Sequence, residues 1–455
     1  MGKPTKIPLL TRVTGGLLVA LFCSSLLWPD FINNACKKLQ VSLPFIHEHE
    51  SHAMRAAPLR LLTLILHGTS GGSMESYGEG LSCISHPVSD VCVIIANARL
   101  DPSSSTIYLP TTRRLNRTVK PYAGKLAENA MATVTPILVR GSQSDEAKSC
   151  SVHHNVPAVV FSTAGFTSNL FHDFNDVIVP LFITTRHFES RVQLVVTDLK
   201  PWWVKKYKPI LNHLSTYPVI DHKQDSRIHC FPGMVLGLKY HKDMGTYPSE
   251  TPNGYTMSDF KNFVMQAFSL DHGQVPPVLE VLKRPTLLLI SRRKTRVFLN
   301  EEEMIQMMRE VGFEVAVVSA HRMADLQRFA PMVASCNVLL GAHGAGLANF
   351  LFLSPGAVLL QVVPLGLDWA STNYYAEPAG AMGMRYLEYH IVPEESSLYH
   401  KYPPDHPVLT NPMVIHMQGY NVSRAVYVDG QNLRLDLKRF RETLVQAMQL
   451  IMPTP

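Results

Sequence analysis

The sequence predicts an α/β protein with two domains, and three observations support this prediction. A chain of 455 residues exceeds what one hydrophobic core usually organises. Between residues 81 and 275, short β-rich runs alternate with helix-like stretches, which is typical of a parallel sheet covered by helices on both faces. Residues 276–455 show a more regular alternation of strands and helices, typical of a Rossmann-like domain. A cleft between the two domains is the expected location of an active site.

The N-terminus predicts a membrane anchor. A basic cytoplasmic tail, residues 1–12, precedes an uncharged stretch at 13–28 whose apolar character continues to residue 32. We expect residues 13–32 to be a signal anchor that sends the rest of the chain into the lumen. A cleaved signal peptide is the alternative, because the uncharged stretch is shorter than the roughly 20 residues of a typical span.

Two less regular segments border the first domain. Residues 33–80 form the predicted stem, although the apolar stretch 59–66 could instead be an early helix packed on the catalytic body. Residues 274–278 contain adjacent prolines, which resist both helix and central strand, so they predict the linker between the domains.

Glycosylation signals, cysteines and charge agree with a lumenal protein. Asn116 and Asn421 each begin an Asn-X-Ser/Thr sequon and are the predicted glycosylation sites. Cys83 and Cys92 are close enough in sequence to form a disulfide, with buried free thiols as the alternative. The net charge is +6, and the tail supplies three of these charges, so we do not expect nucleic-acid binding.

In the first domain, β-rich runs and one long helix are predicted. The helix, residues 169–188, places its apolar side chains on a single stripe, as an amphipathic helix requires. The predicted strands lie at 91–96, 107–109, 134–139 and 192–196.

In the second domain, four buried strands alternate with helices. Asn300 is expected to cap the first helix, with three glutamates facing its positive end, and Gly312 is expected to end it. The strands are predicted at 286–290, 313–319, 338–341 and 357–363, and the second helix at 323–335.

The turn after the third of these strands, residues 341–346, is a candidate phosphate-binding site. Its glycines allow the backbone to approach a ligand, and the N–H groups that begin a short helix at 347–353 favour an anion. The side chain of His343 can donate to the same oxygens. A purely structural turn is the alternative. The spacing differs from the GxGxxG pattern of dinucleotide-binding proteins, so a nicotinamide oxidoreductase is not favoured.

A second loop, residues 291–296, follows the first of these strands and carries four cations. Loops at the carboxyl ends of parallel strands meet at one sheet edge, where open α/β proteins bind ligands. The paired donors of Arg292 and Arg296 match the geometry of a diphosphate. A solvated basic loop is the alternative.

His172 and Asp176 lie four residues apart on the predicted helix, so their side chains can meet on one face. A carboxylate in a cleft can accept the proton that a substrate hydroxyl loses as it attacks. A salt bridge on the helix surface is the alternative.

No metal-ligand cluster and no DxD motif stands out in the sequence. A departing diphosphate would therefore be neutralised by Arg292, Arg296 and the helix end.

Five separated segments carry a family resemblance: CISHPVSDVCVIIANAR at 83–99, GFTSNLFHDFNDVIVPLFIT at 165–184, HCFPGMVLGLK at 229–239, and residues 330–364 and 368–397. They resemble glycosyltransferase family 61, particularly its plant branch of xylan arabinosyltransferases and xylosyltransferases. The resemblance implies a GT-B-like fold, in which two Rossmann-like domains face a central cleft and the C-terminal domain holds the nucleotide. It also implies an inverting Golgi enzyme with no obligatory metal or other cofactor.

The resemblance also implies roles for individual residues. Asp176 would be the general base, oriented or assisted by His172, and Asp173 is a second candidate because relatives often have glutamate at that position. Glu377 is expected to contact the nucleotide or the sugar. The diphosphate would be held by Ser291, Arg292, Arg296, His343, Gly344, Ala345 and Gly346.

The resemblance implies UDP-xylose or UDP-arabinofuranose as the donor and the β-1,4-xylan backbone as the acceptor. The enzyme would be a single-pass type II protein of the Golgi membrane and a candidate partner of other xylan-synthesis enzymes. Two alternatives remain: transfer to a protein-linked glycan such as the N-glycan core, and an inactive binding subunit of a Golgi synthase complex. The presence of His172, Asp176, Arg292 and His343 argues against the inactive subunit.

Overall fold

The structure is a computed structural model that describes residues 60–66, 72–78, 80–111, 115–142, 149–270 and 284–452. The predicted tail, anchor and linker lie outside the described residues, as does the stem up to residue 59. Within the described ranges, no helix is both long and apolar enough to cross a membrane. The described residues all belong to one unit, Arg55–Pro455.

The strands of the described chain form three sheets. In the N-terminal half they are β1 (Ser73–Gly78), β2 (Leu81–Ser85), β3 (Asp90–Ile94), β4 (Ala98–Asp101), β5 (Thr106–Pro110), β6 (Asn116–Val119), β7 (Ile137–Ser142), β8 (Val152–His153), β9 (Ala158–Phe161), β10 (Gln193–Val196), β11 (Ile220–Asp221), β12 (His229–Phe231) and β13 (Met234–Leu236). In the C-terminal half they are β14 (Thr286–Ile290), β15 (Glu314–Val318), β16 (Val338–Ala342), β17 (Val358–Val363) and β18 (Arg385–His390).

The longer helices of the described chain are α1 (Pro201–Leu214), α2 (Met257–Ala267), α3 (Glu301–Val311), α4 (Leu326–Ala334) and α5 (Leu437–Ile451). Residues 170–188 are helical throughout and are described with the site. Shorter helical pieces lie at Leu64–Leu66, Pro102–Ser104, Glu128–Met131, Pro248–Glu250, Ala320–Met323, Ala345–Phe352, Asp368–Ser371, Thr372–Ala376, Glu377–Ala381, Pro393–Glu395, Ser397–His400, Pro407–Thr410, Pro412–His416, Tyr420–Ser423 and Arg424–Val428.

The first sheet has the strand order β1-β2-β3-β13-β9-β10-β11 and is mixed. Strands β1, β2, β3 and β13 pair antiparallel, whereas β13, β9, β10 and β11 pair parallel. A second sheet, β6-β7-β5-β4-β12-β8, covers one face of the first, and helices cover the other. The prediction of a parallel sheet with helices on both faces is therefore wrong for this half.

Alternating side chains explain this arrangement. In β3, Val91 and Val93 face the helical layer, whereas Cys92 and Ile94 face the second sheet. All four are buried, so the strand is apolar on both faces, like a parallel strand between two layers of helices. The pattern of hydrophobic residues does not distinguish a covering helix from a covering sheet.

Part of the predicted stem belongs to the folded body. Ser73–Gly78 forms β1 and pairs with β2, so the sheet begins before the predicted domain boundary. Residues 60–66 are helical, and Leu62 and Ile65 are buried in the core beneath the first sheet. The alternative interpretation of this apolar stretch, a helix packed on the body, is confirmed.

The C-terminal half contains the predicted parallel sheet. Its strands lie in the order β15-β14-β16-β17-β18, and every pair is parallel. All four predicted strands are confirmed to within one residue at each end. The sequence does not predict β18, which lies at the sheet edge and is largely exposed.

The helix predictions of this half are partly confirmed. Gly312 ends α3 with a φ of 115°, in the left-handed region that glycine tolerates. Asn300 precedes α3, but its side chain bonds the backbone of Leu435 instead of capping the helix. The predicted helix 323–335 is interrupted, because the side chain of Asp325 caps a new helix, α4.

Two disulfides are present in the described chain. Cys83 and Cys92 face each other on β2 and β3 and are bonded, as predicted. Cys150 and Cys230 form a second bond that the sequence does not predict, whereas Cys336 is free and buried. The sequon residues Asn116 and Asn421 are exposed, and their glycosylation stays a prediction.

One hydrophobic cluster extends through both halves. It includes Val159 and Phe161 of the first sheet and Ile290 and Leu339 of the parallel sheet. The helical segment 170–188 and the helix Ala345–Phe352 lie between these sheets in the same cluster. The two halves therefore pack directly on each other, and the candidate site lies along this contact.

Candidate active site

The helical segment 170–188 carries the candidate catalytic side chains. It begins after Asn169, which accepts a hydrogen bond from the N–H of Phe171, and it contains a π-helical turn at Asp173–Ile178. Every side chain of the segment is buried except the half-buried His172 and Arg186, so the predicted one-sided amphipathic stripe is wrong. The segment packs between two layers and needs apolar residues on both sides. π-helical turns are frequent at functional sites.

Asp173 lies in this turn and has a structural environment. Its carboxylate is fully buried and receives donors at 2.7–3.3 Å from Tyr207 Oη, Trp203 Nε1, Ser168 N and Lys206 Nζ. These donors match the roughly four lone-pair positions of an ionised carboxylate. No position is left for a substrate hydroxyl, so the geometry favours Asp176 over Asp173 as a functional carboxylate.

Replacing Asp173 by asparagine is expected to lower the free energy of unfolding by about 3–5 kcal/mol, because the buried ion pair with Lys206 is broken. Thermal unfolding followed by circular dichroism measures this change. The control is Asp405→Asn, which removes the same charge from an exposed position and should change stability by less than about 0.5 kcal/mol. Equal unfolding midpoints for the two variants would contradict a structural role.

Asp176 is buried behind His172. Its Oδ2 accepts a hydrogen bond from Tyr122 Oη at 2.6 Å and lies 3.0 Å from His172 Nδ1, while Oδ1 accepts one from Asn175 Nδ2 at 2.8 Å. The contact between His172 and Asp176 expected from their spacing is present. Burial and the charge of Asp176 raise the pKa of Tyr122, so its phenol stays protonated and keeps donating.

His172 is the more accessible member of this pair. Its side chain is 30% exposed, compared with 6% for Asp176. The carboxylate faces Nδ1, and a carboxylate at one ring nitrogen holds the proton there and leaves the other nitrogen, Nε2, as an acceptor. In the described part of the chain no hydrogen bond reaches Nε2. The pair can therefore take a proton from a hydroxyl placed beside His172.

The turn at residues 341–346, which we call the glycine turn, leads into a 3-10 helix, Ala345–Phe352. The first N–H groups of this helix have no partner within it. Gly344 has a φ of 142°, which favours glycine. A Cβ at this position would lie 2.7 Å from Arg292 Nη1 and 3.2 Å from Arg296 Nη1. Both guanidinium groups thus lie against the backbone of the turn, as expected for two loops at one sheet edge.

Arg292 and Arg296 bring two largely buried positive charges to this turn. Arg292 Nε donates to the carbonyl of Thr295 at 2.8 Å, and Arg296 Nη1 donates to the carbonyl of His343 at 2.9 Å. Burial lowers the pKa of Arg292, and burial together with the charge of Arg292 lowers the pKa of Arg296 to about 10. Neither guanidinium forms an ion pair with a carboxylate of the described ranges. Buried cations without a carboxylate indicate an anion site.

His343 offers a neutral ring to the site. Its Nδ1 lies 2.9 Å from Gln361 Nε2, which can only donate, and 3.1 Å from Ser371 Oγ. Burial and the two nearby arginines lower the pKa of His343 to about 3, so the imidazole is uncharged at neutral pH. With Nδ1 accepting, the ring proton lies on Nε2, which agrees with the predicted role as a hydrogen-bond donor.

A cavity of about 750 Å³ opens beside the turn and is lined by both halves of the chain. Ser291 Oγ and Asn349 Oδ1 are buried at this cavity without a partner among the described residues, which indicates a site that a ligand completes. Ala345 and Gly346 also line it. The charged residues of its lining are all basic: Lys206, Arg292, Arg293 and Lys294.

Two tyrosines join the helical segment to the glycine turn. Tyr375 Oη donates to the carbonyl of Gly344 at 2.8 Å, and its ring lies 5.4 Å from that of His343 and 6.0 Å from that of Phe171. Tyr374 lies 4.7 Å from Phe171, the residue before His172. The candidate proton acceptor and the candidate diphosphate site therefore belong to one site.

Glu377 lies at the edge of this arrangement. Its carboxylate is 3.6 Å from Lys242 Nζ, and both side chains are more than a third exposed. The pair connects the two halves, and Glu377 is not among the residues that line the cavity. Its contact with the nucleotide or the sugar stays a prediction.

Sequence reasoning misses three tyrosines of the site. Tyr374 and Tyr375 are adjacent and lie in the segment 368–397 that carries the family resemblance. Their position in this segment could have identified them as candidate site residues. Tyr122 lies 54 residues before Asp176, and nothing around it in the sequence indicates their contact.

Among the described residues, no group of three or more His, Cys, Asp or Glu side chains could hold a metal ion. Independence from a metal stays a prediction.

The profile of the family described as Glycosyltransferase 61 matches residues 159–360, which include His172, Asp176, Arg292 and the glycine turn. An alpha-1,3-arabinosyltransferase of Oryza sativa subsp. japonica is 38% identical over 425 residues, which cover 89% of this chain and 73% of that protein.

Two further relatives have similar names. A beta-1,2-xylosyltransferase of the same organism is 41% identical and covers 79% of this chain and 65% of its own length. A xylan glycosyltransferase of Arabidopsis thaliana is 36% identical and covers 79% of this chain and 77% of its own length. The chain thus spans a little under two thirds of one relative and about three quarters of the other two. The chain belongs to glycosyltransferase family 61 and is a glycosyltransferase, as its resemblance predicts.

Proposed function

We propose that this enzyme transfers a pentose from a UDP-sugar to xylan with inversion at the anomeric carbon. One observation carries the proposal: the His172–Asp176 pair and an anion site meet along the contact between the two halves, with Phe171 and Tyr375 between them. We call the anion site, formed by Arg292, Arg296 and residues 343–346, the diphosphate cradle. Single displacement needs these two functions, one for the attacking hydroxyl and one for the leaving group.

The diphosphate cradle would stabilise the departure of UDP. As the bond between the anomeric carbon and the diphosphate oxygen breaks, negative charge accumulates on the diphosphate. The guanidinium groups of Arg292 and Arg296 and the first N–H groups of the helix Ala345–Phe352 are already fixed at one place. Donors that need no reorganisation stabilise developing charge most effectively. In this proposal the two arginines, rather than a metal ion, carry the neutralisation.

The His172–Asp176 pair would activate the acceptor hydroxyl. The hydroxyl oxygen forms the new bond to the anomeric carbon, and its proton passes to the pair. We assign the proton to Nε2 of His172, with Asp176 holding the Nδ1 proton, because His172 is the accessible member and Asp176 is buried. Asp176 would then orient the ring of His172 and stabilise the positive charge that the ring gains with the proton. The family resemblance instead implies that Asp176 itself is the base, assisted by His172.

The donor, acceptor and location are proposed from the relatives and the sequence. The names of the relatives, an arabinosyltransferase, a xylosyltransferase and a xylan glycosyltransferase, support the transfer of arabinose or xylose and xylan as the acceptor. UDP as the carrier of the sugar, in UDP-xylose or UDP-arabinofuranose, is proposed from the family resemblance. We further propose a GT-B-like relation of the two halves and a Golgi enzyme anchored by residues 13–32. Xylan-synthesis enzymes of the same compartment are its proposed partners.

The proposal is tested with the full chain purified in detergent and a panel of UDP-sugars and acceptors. With xylohexaose, one UDP-pentose is expected to give a product one pentose heavier by mass spectrometry, and NMR of the new linkage should show inversion. Asp405→Asn serves as the active control. Transfer to an N-glycan but not to xylohexaose would replace the acceptor, and no turnover with any donor would favour an inactive binding subunit.

A further inference from the structure

A run of contacting aromatic rings passes through the site and ends in two exposed side chains. We call it the aromatic strip and define it as Phe166, His172, Phe171, Tyr374 and Trp369. Successive ring centroids along this order are 4.6, 5.5, 4.7 and 5.7 Å apart. The first three residues belong to the N-terminal half and the last two to the C-terminal half, so the strip crosses the contact between the halves.

The two ends of the aromatic strip are open to solvent. Phe166 is 38% exposed and Trp369 is 65% exposed, whereas Phe171 is buried. Exposure alone does not distinguish these rings, since Tyr217 is 39% exposed, but Phe166 and Trp369 are the exposed ends of a run of contacting rings that includes His172. The buried ring of Phe171 joins the two ends, so Phe166 lies directly against His172 and Trp369 lies further along the strip.

We propose that the aromatic strip binds the acceptor as a neutral chain of pyranose rings. One face of a pyranose ring consists of C–H groups with a small positive charge, and the face of an aromatic ring is negative, so the two faces attract and exclude water between them. This inference rests on the proposed function, because it gives the acceptor of that reaction a place to bind.

The exposed ends of the aromatic strip differ in charge from the cavity of about 750 Å³ beside the glycine turn, which we assign to the donor. The cavity is lined by Lys206, Arg292 and other basic side chains, which suit a diphosphate. The open ends of the strip are uncharged, and the charged neighbour of Trp369, Asp368, is 3.0 Å from His390 Nδ1 and pairs with it. An anionic donor would therefore occupy the cavity, while a neutral oligosaccharide would lie along the strip.

The aromatic strip also places the oligosaccharide beside His172, the residue that would take the proton. The ring of Phe166 contacts the ring of His172, so a sugar stacked on Phe166 has its hydroxyl groups next to the accessible edge of that imidazole. The N–H of Phe166 donates to Tyr122 Oη at 3.1 Å, and the same hydroxyl donates to Asp176. The stacking residue and the His172–Asp176 pair are thus fixed in one hydrogen-bonded unit.

Binding of xylohexaose and of xylobiose to the full chain, measured by calorimetry with saturating UDP, tests this inference. Phe166→Ala and Trp369→Ala are each expected to weaken xylohexaose binding by about tenfold, and to raise its KM similarly, because each removes one stacking surface. Trp369→Ala should affect xylobiose less, since a short chain does not need both ends. UDP affinity should stay within twofold. The matched control is Tyr217→Ala, which removes an aromatic ring that is 39% exposed elsewhere on the N-terminal half.

The outcomes separate this inference from the proposed function. Wild-type affinity for xylohexaose in both variants, with wild-type turnover, would overturn the acceptor role of the strip and leave the proposed function standing. A wild-type enzyme that neither binds nor glycosylates xylohexaose would overturn the proposed acceptor, and the inference with it. An equal loss in Tyr217→Ala would show a general change in stability and would also count against the strip.

Discussion

Replacing Asp176 by asparagine is expected to lower kcat by about 10²–10⁴-fold, while the KM for both substrates and the affinity for UDP change by no more than a few-fold. The amide has almost the same size, but its N–H group can face His172 Nδ1, which lies 3.0 Å from the present carboxylate. An amide donor at Nδ1 moves the ring proton to Nε2, the nitrogen that the substrate hydroxyl needs as its acceptor. Steady-state kinetics and calorimetry with UDP measure the two effects separately.

A double variant distinguishes a catalytic pair from two independent residues. His172→Gln should lower kcat by a similar factor, and His172→Gln combined with Asp176→Asn should be no slower than the worse single variant, because the two groups perform one proton transfer. Independent roles would instead give effects that multiply. Retained UDP binding and an unfolding midpoint near that of the wild type exclude loss of the fold. Full turnover in Asp176→Asn would show that His172 does not need Asp176 and would overturn the proposed pair.

The C-terminal half illustrates what a sequence can predict about a fold. The strands of its parallel sheet are buried on both faces and bounded by clear helix signals such as Gly312, so their limits are found to within one residue. In the N-terminal half, β3 is equally apolar on both faces, but one face packs on a second sheet. Local hydrophobic spacing contains no information on the partner layer, so the sheet-on-sheet packing could not be predicted.

The same limit applies to the site. The contact of His172 with Asp176 depends on helical spacing, and the meeting of the arginine loop with the glycine turn depends on parallel strand order, so both could be predicted. The distinction between Asp173 and Asp176 depends on donors that arrive from distant positions, such as Tyr207 and Tyr122. The sequence motif places both carboxylates near the site. Only the tertiary structure shows that Asp173 has a structural role and that Asp176 belongs to the pair that would accept the proton.

Replacing Arg292 by alanine is expected to weaken UDP binding by about 30-fold or more, because a largely buried charge that faces the diphosphate is lost. Arg292→Lys should recover part of this loss, since it restores the charge without the paired donors of a guanidinium. The control is Arg328→Ala, which removes the same charge from a side chain that is 89% exposed on α4. Its UDP affinity should stay within twofold of the wild type.

Ligand-dependent stability provides a second measurement of the same loss. UDP at about 100 times its Kd should stabilise the wild type by about 2.7 kcal/mol, and the same concentration should stabilise Arg292→Ala far less. Without UDP, Arg292→Ala is not expected to be less stable through electrostatics, because the charge of Arg292 lowers the pKa of the neighbouring Arg296 and the alanine relieves that repulsion. A variant that loses UDP binding without an electrostatic loss of apo stability is the signature of a site whose cations are held together for an anion. Unchanged UDP affinity would remove Arg292 from the diphosphate cradle.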